Sequence, residues 1–282
     1  MDLGDYYTKS IESYRRNWKI AVPSIIASFL TVLILIVGFF EILTTLSLNL
    51  NILGTAISPS NFPNITPNAI LTAVEIFIIM EALIFVIDVI RTAATVGMAK
   101  QIIMEGSSNL DFAWKSGIKY FFRIFVVSII KFILILVVAI PLFLGIYLLS
   151  AHLTWAIPVL LIGLIIFIIG AILLALIFFI INQSIVVGQK SIIDSIEDSF
   201  HVFWDNKLTV FVVALINIII SIAFSILLGF VVVPLSFLAG PVAMQVINQV
   251  LGLIITVILV PYFALVMTYM YMDLKMGFQW TK

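Results

Sequence analysis

The sequence predicts an all-α integral membrane protein: six transmembrane helices in three repeats, each repeat preceded by a cytoplasmic interfacial amphipathic helix. Three observations predict it. The first is composition, since 63% hydrophobic and 10% charged residues, with a mean hydropathy of +1.30, leave too little polar surface to close around a soluble core. The second is a set of apolar stretches long enough to cross about 30 Å of hydrocarbon. The third is a short pattern that recurs three times: Asp, then Ser five residues on, an aromatic four further, and Asn or Arg three after that.

The apolar stretches fall at about Ile20–Leu48, Ile70–Met98, Ile124–Leu149, Trp155–Val187, Leu208–Leu238 and Val246–Met272. The first is too long for the roughly 7–15 residue core of a cleavable signal, so it is read as a retained span. Several exceed the roughly 20 residues that a crossing needs and should tilt, project or kink. Pro141, Pro234 and Pro261 are the expected kinks, with Gly145 and Gly229 placed for close helix contact.

The recurring pattern reads Asp5, Ser10, Tyr14, Asn17 in the first copy. It reads Asp111, Ser116, Tyr120, Arg123 in the second and Asp194, Ser199, Phe203, Asn206 in the third. Wound as helices, these segments are amphipathic. In the first, Leu3, Tyr7, Ile11, Tyr14 and Trp18 share a stripe. In the second, Leu110, Trp114, Gly117, Ile118 and Phe121 do so. In the third, Ile192, Ile193, Ile196, Phe200, Phe203 and Trp204 oppose Asp194, Glu197, Asp198 and His201. Such helices lie in a membrane interface. Ser191 with Asp194, and Asn109, are candidate N-caps. A recurring Asp in a first helical turn complements the helix dipole, so the motif residues are expected to position helices. The chain is thus a single membrane domain, 1–282, with units of about 1–106, 107–189 and 190–282. Units entering the bilayer in one direction imply pseudo-threefold symmetry.

Lys9, Arg15, Arg16 and Lys19 precede span one, and Lys100, Lys115, Lys119 and Arg123 separate spans two and three. Lys190 and Lys207 separate spans four and five, and Lys275 and Lys282 follow span six. The alternate connections, near Asn49–Asn68, Ser150–Thr154 and Ala239–Gln245, hold no Lys or Arg. Cationic loops stay cytoplasmic, so both termini are expected there, with the protein in the cell membrane. Asn64-Ile-Thr66 is a formal glycosylation acceptor on the opposite side.

Several chemistries are excluded as expectations. Without Cys, and with two His, the chain has no thiolate or histidine metal site, and no metal or other cofactor is expected. Its formal net charge of zero gives no reason to expect nucleic acid. No phosphate loop or nucleophile elbow occurs, so no catalytic residue is assigned and the chain is not expected to be an enzyme.

The third copy runs from Gly188 through Asp194, Ser199 and Phe203 to Asn206, then into Lys207 and apolar Leu208–Leu215. It resembles the signature of a prokaryotic group of polytopic membrane proteins that includes the membrane domain of some glycerophosphodiester phosphodiesterases. Similar stand-alone proteins of unassigned role belong to the same group. The resemblance implies a setting near lipid or glycerophosphodiester metabolism. It carries over no catalytic residue, because no barrel follows span six before Lys282.

Ionisable groups inside spans are costly, about 2.5–3.5 kcal/mol each at the centre, and span two holds most of them. Glu75 lies in its outer part, Glu81 near its middle, and Asp88 and Arg91 towards the cytoplasmic end, with Glu41 in span one. Asp88 and Arg91, three apart, suit an ion pair, and Glu81 shares roughly their face. Arg91 and Lys131 lie where long side chains snorkel. Gln245, Asn248, Gln249, Asn182, Gln183 and Asn217 suit interhelical hydrogen bonds.

Two partner classes follow, membrane lipids and another membrane protein. The leading expectation is a non-catalytic protein that binds or organises lipid or a lipid-derived amphiphile. The alternatives are a small ion- or proton-coupled transporter using Glu81, Asp88 and Arg91, and a scaffold for another membrane protein.

Overall fold

A computed structural model describes residues 2–46, 66–151, 155–236 and 241–277, and all regular structure among them is helical. Asn64 of the glycosylation pattern and the tips of the cation-free connections lie outside the described residues, as do the side chains of Gln245, Asn248 and Gln249. α1 (Leu3–Arg16) leads through a 3-10 turn (Trp18–Ala21) into α2 (Val22–Thr45), followed by α3 (Pro67–Glu105), α4 (Leu110–Ser150) and α5 (Ala156–Ile177). The short α6 (Ile181–Val186), α7 (Ile192–Asp205), α8 (Lys207–Ser236) and α9 (Pro241–Met276) complete the chain. Six stretches are long and apolar enough to cross a membrane: Trp18–Thr45, Pro67–Glu105, Leu110–Ser150, Ala156–Val186, Lys207–Phe230 and Leu251–Lys275.

Local chemistry sets the helix starts. The Asn109 Oδ1 accepts the Phe112 N–H at 2.7 Å at the head of α4, and the Ser191 Oγ accepts from Asp194 N at 3.3 Å at the head of α7. Each side-chain oxygen satisfies an N–H that the helix itself cannot. Thr66 does the same for α3, which ends at Gly106 with φ +79, a left-handed stop that glycine accepts without strain.

α1 and α7 are each 14 residues long, and each stops at a motif asparagine. Asn17 has φ −128 and ψ 53, Asn206 has φ −128 and ψ 39, and each amide donates to the carbonyl four residues back, Ser13 O and Val202 O, at 3.3 Å. A side chain that bonds local carbonyls competes with the helix and ends it. The middle segment departs from the expected separate interfacial helix. α4 runs unbroken from Leu110 through Arg123 to Ser150, because arginine is a good helix former and offers no such competition.

The membrane helices pack in a closed cycle. α2 packs on α3, α3 on α4, α4 on α5, α5 on α8, α8 on α9, and α9 back on α2, while α3 also touches α9 across the cycle. The α4–α5 pair is the most extensive. At its contact, a Cβ on Gly145 would lie 2.5 Å from Leu160 Cα, and one on Gly163 would lie 2.5 Å from the Pro141 carbonyl oxygen. No described atom comes within 4 Å of the equivalent point on Gly229.

α4, α8 and α9 continue through Pro141, Pro234 and Pro261. A helix is interrupted between α5 and α6, where no proline stands. There the Ile177 carbonyl is taken at 2.5 Å by the hydroxyl of the motif residue Ser199.

The core sits at the cationic end of the bundle. It is built from the last turns of α3 (Ala93–Ala99), α6 and the last turns of α9 (Ala264–Met272). The opposite halves of the helices are largely exposed, as lipid-facing segments would be.

Candidate functional site

Two constellations of polar side chains occupy the cationic end, and only one was legible from the sequence. The unforeseen one centres on Asp198. The third segment's face pattern puts Asp198 among water-facing residues, but in the fold its side chain is 1% exposed. Ser195, Asp198, Ser199 and Val202, spaced as one face of α7, turn inward, and Ile193, Phe200 and Trp204 turn out. Around the carboxylate, Ser184 Oγ of α6 donates at 2.7 Å and Tyr271 OH of α9 at 2.9 Å. Lys190 Nζ and Lys275 Nζ stand 2.6 and 3.1 Å from Oδ1.

Burial alone would raise the Asp198 carboxyl. Lys190, Ser184, Lys275 and Tyr271 together outweigh burial and hold it below the ordinary carboxylate range. A depressed folded-state pKa contributes stability that is fully present above the unfolded value and disappears as pH falls through the folded one. The stability gap between the protein and its Asp198→Asn variant should therefore be constant at neutral pH and close below about pH 3.9. Unfolding midpoints of both proteins across acidic pH check this.

Two cations from neighbouring helices fix the turn that presents Lys190. Arg123 of α4 donates to Gln189 O at 3.1 Å and Lys190 O at 2.9 Å, and Lys100 of α3 donates to Val187 O at 3.1 Å. Gln189 holds φ 56, and the carbonyls it and its neighbours turn outward are met by positive charge at a helix C-terminus. This gives the motif arginine a role that asparagine could not fill.

α9 is gripped on a second face by α1. Tyr6 OH donates to Asp273 at 2.6 Å, and Ser13 and Tyr269 share a hydrogen bond of 2.8 Å. Burial, reinforced by the carboxylate of Asp273, pushes the Tyr6 phenol well above its ordinary value, so it stays a neutral donor. Tyr7 OH lies 3.1 Å from Val213 O and 3.2 Å from Asn217 Oδ1, giving that intramembrane amide its interhelical bond.

The motif residues divide by position. Ser10, Ser116 and Ser199 are all buried, as are Tyr120 and Phe203, with Tyr14 half-buried; Asp5, Asp111 and Asp194 are exposed. The Asp5 carboxylate accepts the Asp2 N–H, Asp111 pairs with Lys115, and Asp194 accepts from Ser191. Ser116 packs where a Cβ on Gly97 would lie 2.5 Å from its own Cβ, so this small residue permits close approach of α4 to α3.

The second constellation is the sequence-expected one. Asp88 and Arg91 form an ion pair, and Lys131 of α4 lies within electrostatic reach of Asp88. Glu41, Glu75 and Glu81 are exposed, and Glu81 does not line the cavities beside the pair. One cavity, about 270 Å³, lies between α2, α3 and α9 and is lined by Ser28, Thr31, Asp88, Arg91 and Thr256. The other, about 360 Å³, lies between α2, α3 and the start of α4, with Pro23, Ile26, Leu30, Ile90 and Trp114 in its wall. Arg91 borders both.

Six apolar helices joined at a polar, cation-bearing end define a multi-pass membrane protein. Residues 1–274 match DUF7847, a domain of unknown function, and the chain belongs to that family. No curated protein and no solved structure matches the chain.

Proposed function

We infer that the protein is a non-catalytic membrane protein of the cell membrane that binds or organises lipid through a collar of amphipathic segments at its cationic, cytoplasmic end. One observation carries this reading. Each of the three segments turns a tryptophan outward, Trp18, Trp114 and Trp204 being 62%, 63% and 56% exposed. Tryptophan favours the headgroup level, where its ring is apolar and its N–H stays wet. Further large apolar side chains flank each one: Ile11 in the first segment, Ile118 and Phe122 in the second, Ile193 and Phe200 in the third. Lys207 Nζ sits 3.8 Å over the Trp204 ring, placing a cation where anionic headgroups would lie.

The helix contacts support the three-unit organisation. The second span of each unit packs on the first span of the next, α3 on α4, α5 on α8 and α9 on α2. The amphipathic segments follow suit: α1 packs on α9, and α7 on α5 and α6. Matching asparagine stops at α1 and α7 point the same way. The resemblance of the third segment to phosphodiesterase-associated membrane domains fits a lipid setting.

Phe200 and Trp204 stack with ring centroids 5.8 Å apart on the outer face of α7, so both can change without opening the core. Phe200→Glu with Trp204→Glu should leave helical content intact and reduce co-purifying lipid about tenfold, an effect of about 1.4 kcal/mol. Unaltered lipid retention in that folded variant would count against the collar.

A further inference from the structure

We propose that the paired cavities at Arg91 form one binding site for an anionic amphiphile, with its phosphate or carboxylate in the polar cavity and its acyl chain in the apolar groove. The proposal rests on the lipid-handling reading above and gives it a defined ligand class and position. The two cavities share Ala27, Ile87 and Arg91 as common wall, so a molecule with a charged head and an apolar tail matches their division. At about 360 Å³ the apolar part alone is within the usual range of small-molecule sites, roughly 300–1,000 Å³.

The chemistry of the polar part selects an anion. Asp88 and Arg91, the ion pair in its wall, offset each other in charge, so a bound anion would rest on the donors that the pair leaves over, in a segment where an uncompensated charge is costly. Arg91 spends part of its guanidinium on Asp88, but its Nε is buried with no hydrogen-bond partner among the described residues. Ser28, 8% exposed and lining the same cavity, has an Oγ that is likewise unpartnered. Buried donors without partners are rare in native structures and mark places where a further group belongs. A guanidinium fork with a hydroxyl nearby suits phosphate or carboxylate oxygens. Trp114 in the groove wall sets the depth, because it also stands in the outward-facing amphipathic segment. The head would therefore sit just below the interface, reachable from one leaflet.

The test uses the full-length protein in detergent, with oleoyl lysophosphatidate and oleate as probes and inorganic phosphate as the headgroup alone. Binding is counted by native mass spectrometry and titration. The expected result is one lysophosphatidate or oleate per chain, weakened at least tenfold by Asp88→Asn with Arg91→Gln, a pair that removes both charges together. Asp88→Asn alone, which frees the guanidinium, should keep or tighten binding. Ile90→Trp, which fills the groove and leaves the polar cavity intact, should weaken both lipids by a similar factor.

Equal binding in the charge-free pair and the parent would overturn the proposal. So would inorganic phosphate competing as well as lysophosphatidate does, since that marks a free-anion site. The Phe200→Glu, Trp204→Glu protein separates the two readings. If it loses bulk lipid but keeps the single tight ligand, both stand; if it keeps bulk lipid and only the Arg91 variants lose theirs, the collar fails and this site stands. Loss of bulk lipid in the collar variant, with no effect at Arg91, leaves the collar and removes this site.

Discussion

Replacing Asp198 with alanine should destabilise the protein by about 3 kcal/mol, the largest effect expected of any single side-chain truncation. Removing one member of a buried charge pair typically costs about 3–5 kcal/mol, because the partner is left uncompensated. The lower end applies because Lys190 and Lys275 are 32% and 37% exposed and recover water when the carboxylate goes. Ser184 and Tyr271, both buried, do not recover it and lose their acceptor. Since α6, α7 and α9 meet at this carboxylate, their cationic-end core should loosen together. The measurement is the denaturation midpoint in a fixed detergent. Asp198→Asn, which keeps the shape and an acceptor oxygen, should lose less.

The second large effect is expected at the α4–α5 contact. Gly163→Leu should cost about 3 kcal/mol, at the upper end of the roughly 1–3 kcal/mol typical of overpacking, because the new Cβ meets the backbone carbonyl of Pro141, not a side chain that could turn aside. Lipid offers no hydrophobic drive to hold two helices together, so close backbone approach supplies much of the attraction. Gly145→Leu should behave similarly, since its Cβ would meet the Leu160 backbone. Gly229→Leu, with no described atom near, should change stability little. Thermal aggregation of the three variants side by side gives the ranking.

What the sequence made legible follows from where each signal originates. The six crossings were readable because each is a continuous local property: hydrophobic length and the loops that flank it. The caps at Asn109 and Ser191 were readable for the same reason, each being a contact three residues long. The Asp88–Arg91 pair was readable from helical spacing alone. Asp198 was not. Its partners lie in three separate segments, and on a helical wheel a carboxylate beside Glu197 and His201 reads as solvated.

A weak clue was present. Ser195, Ser199 and Val202 make a small-residue face around Asp198, the kind of surface that packs closely, opposite a face too aromatic to be the water side. The motif serine carried more information than its three-residue neighbours suggested, since Ser10, Ser116 and Ser199 are all buried at helix contacts. The break before α6 was illegible because it depends on Ser199, 22 residues away, capturing the Ile177 carbonyl. Arg123 stands where the other two copies have Asn, and in the fold it lies within the continuous α4 and holds the turn carrying Lys190.

Whether this membrane protein handles lipid is decided by native mass spectrometry of the gently solubilised chain with every bound molecule identified. A defined anionic lipid should stay bound at fixed stoichiometry through mild activation; a protein that emerges free of lipid, or bound instead to a stoichiometric protein partner, does not handle lipid in the way proposed.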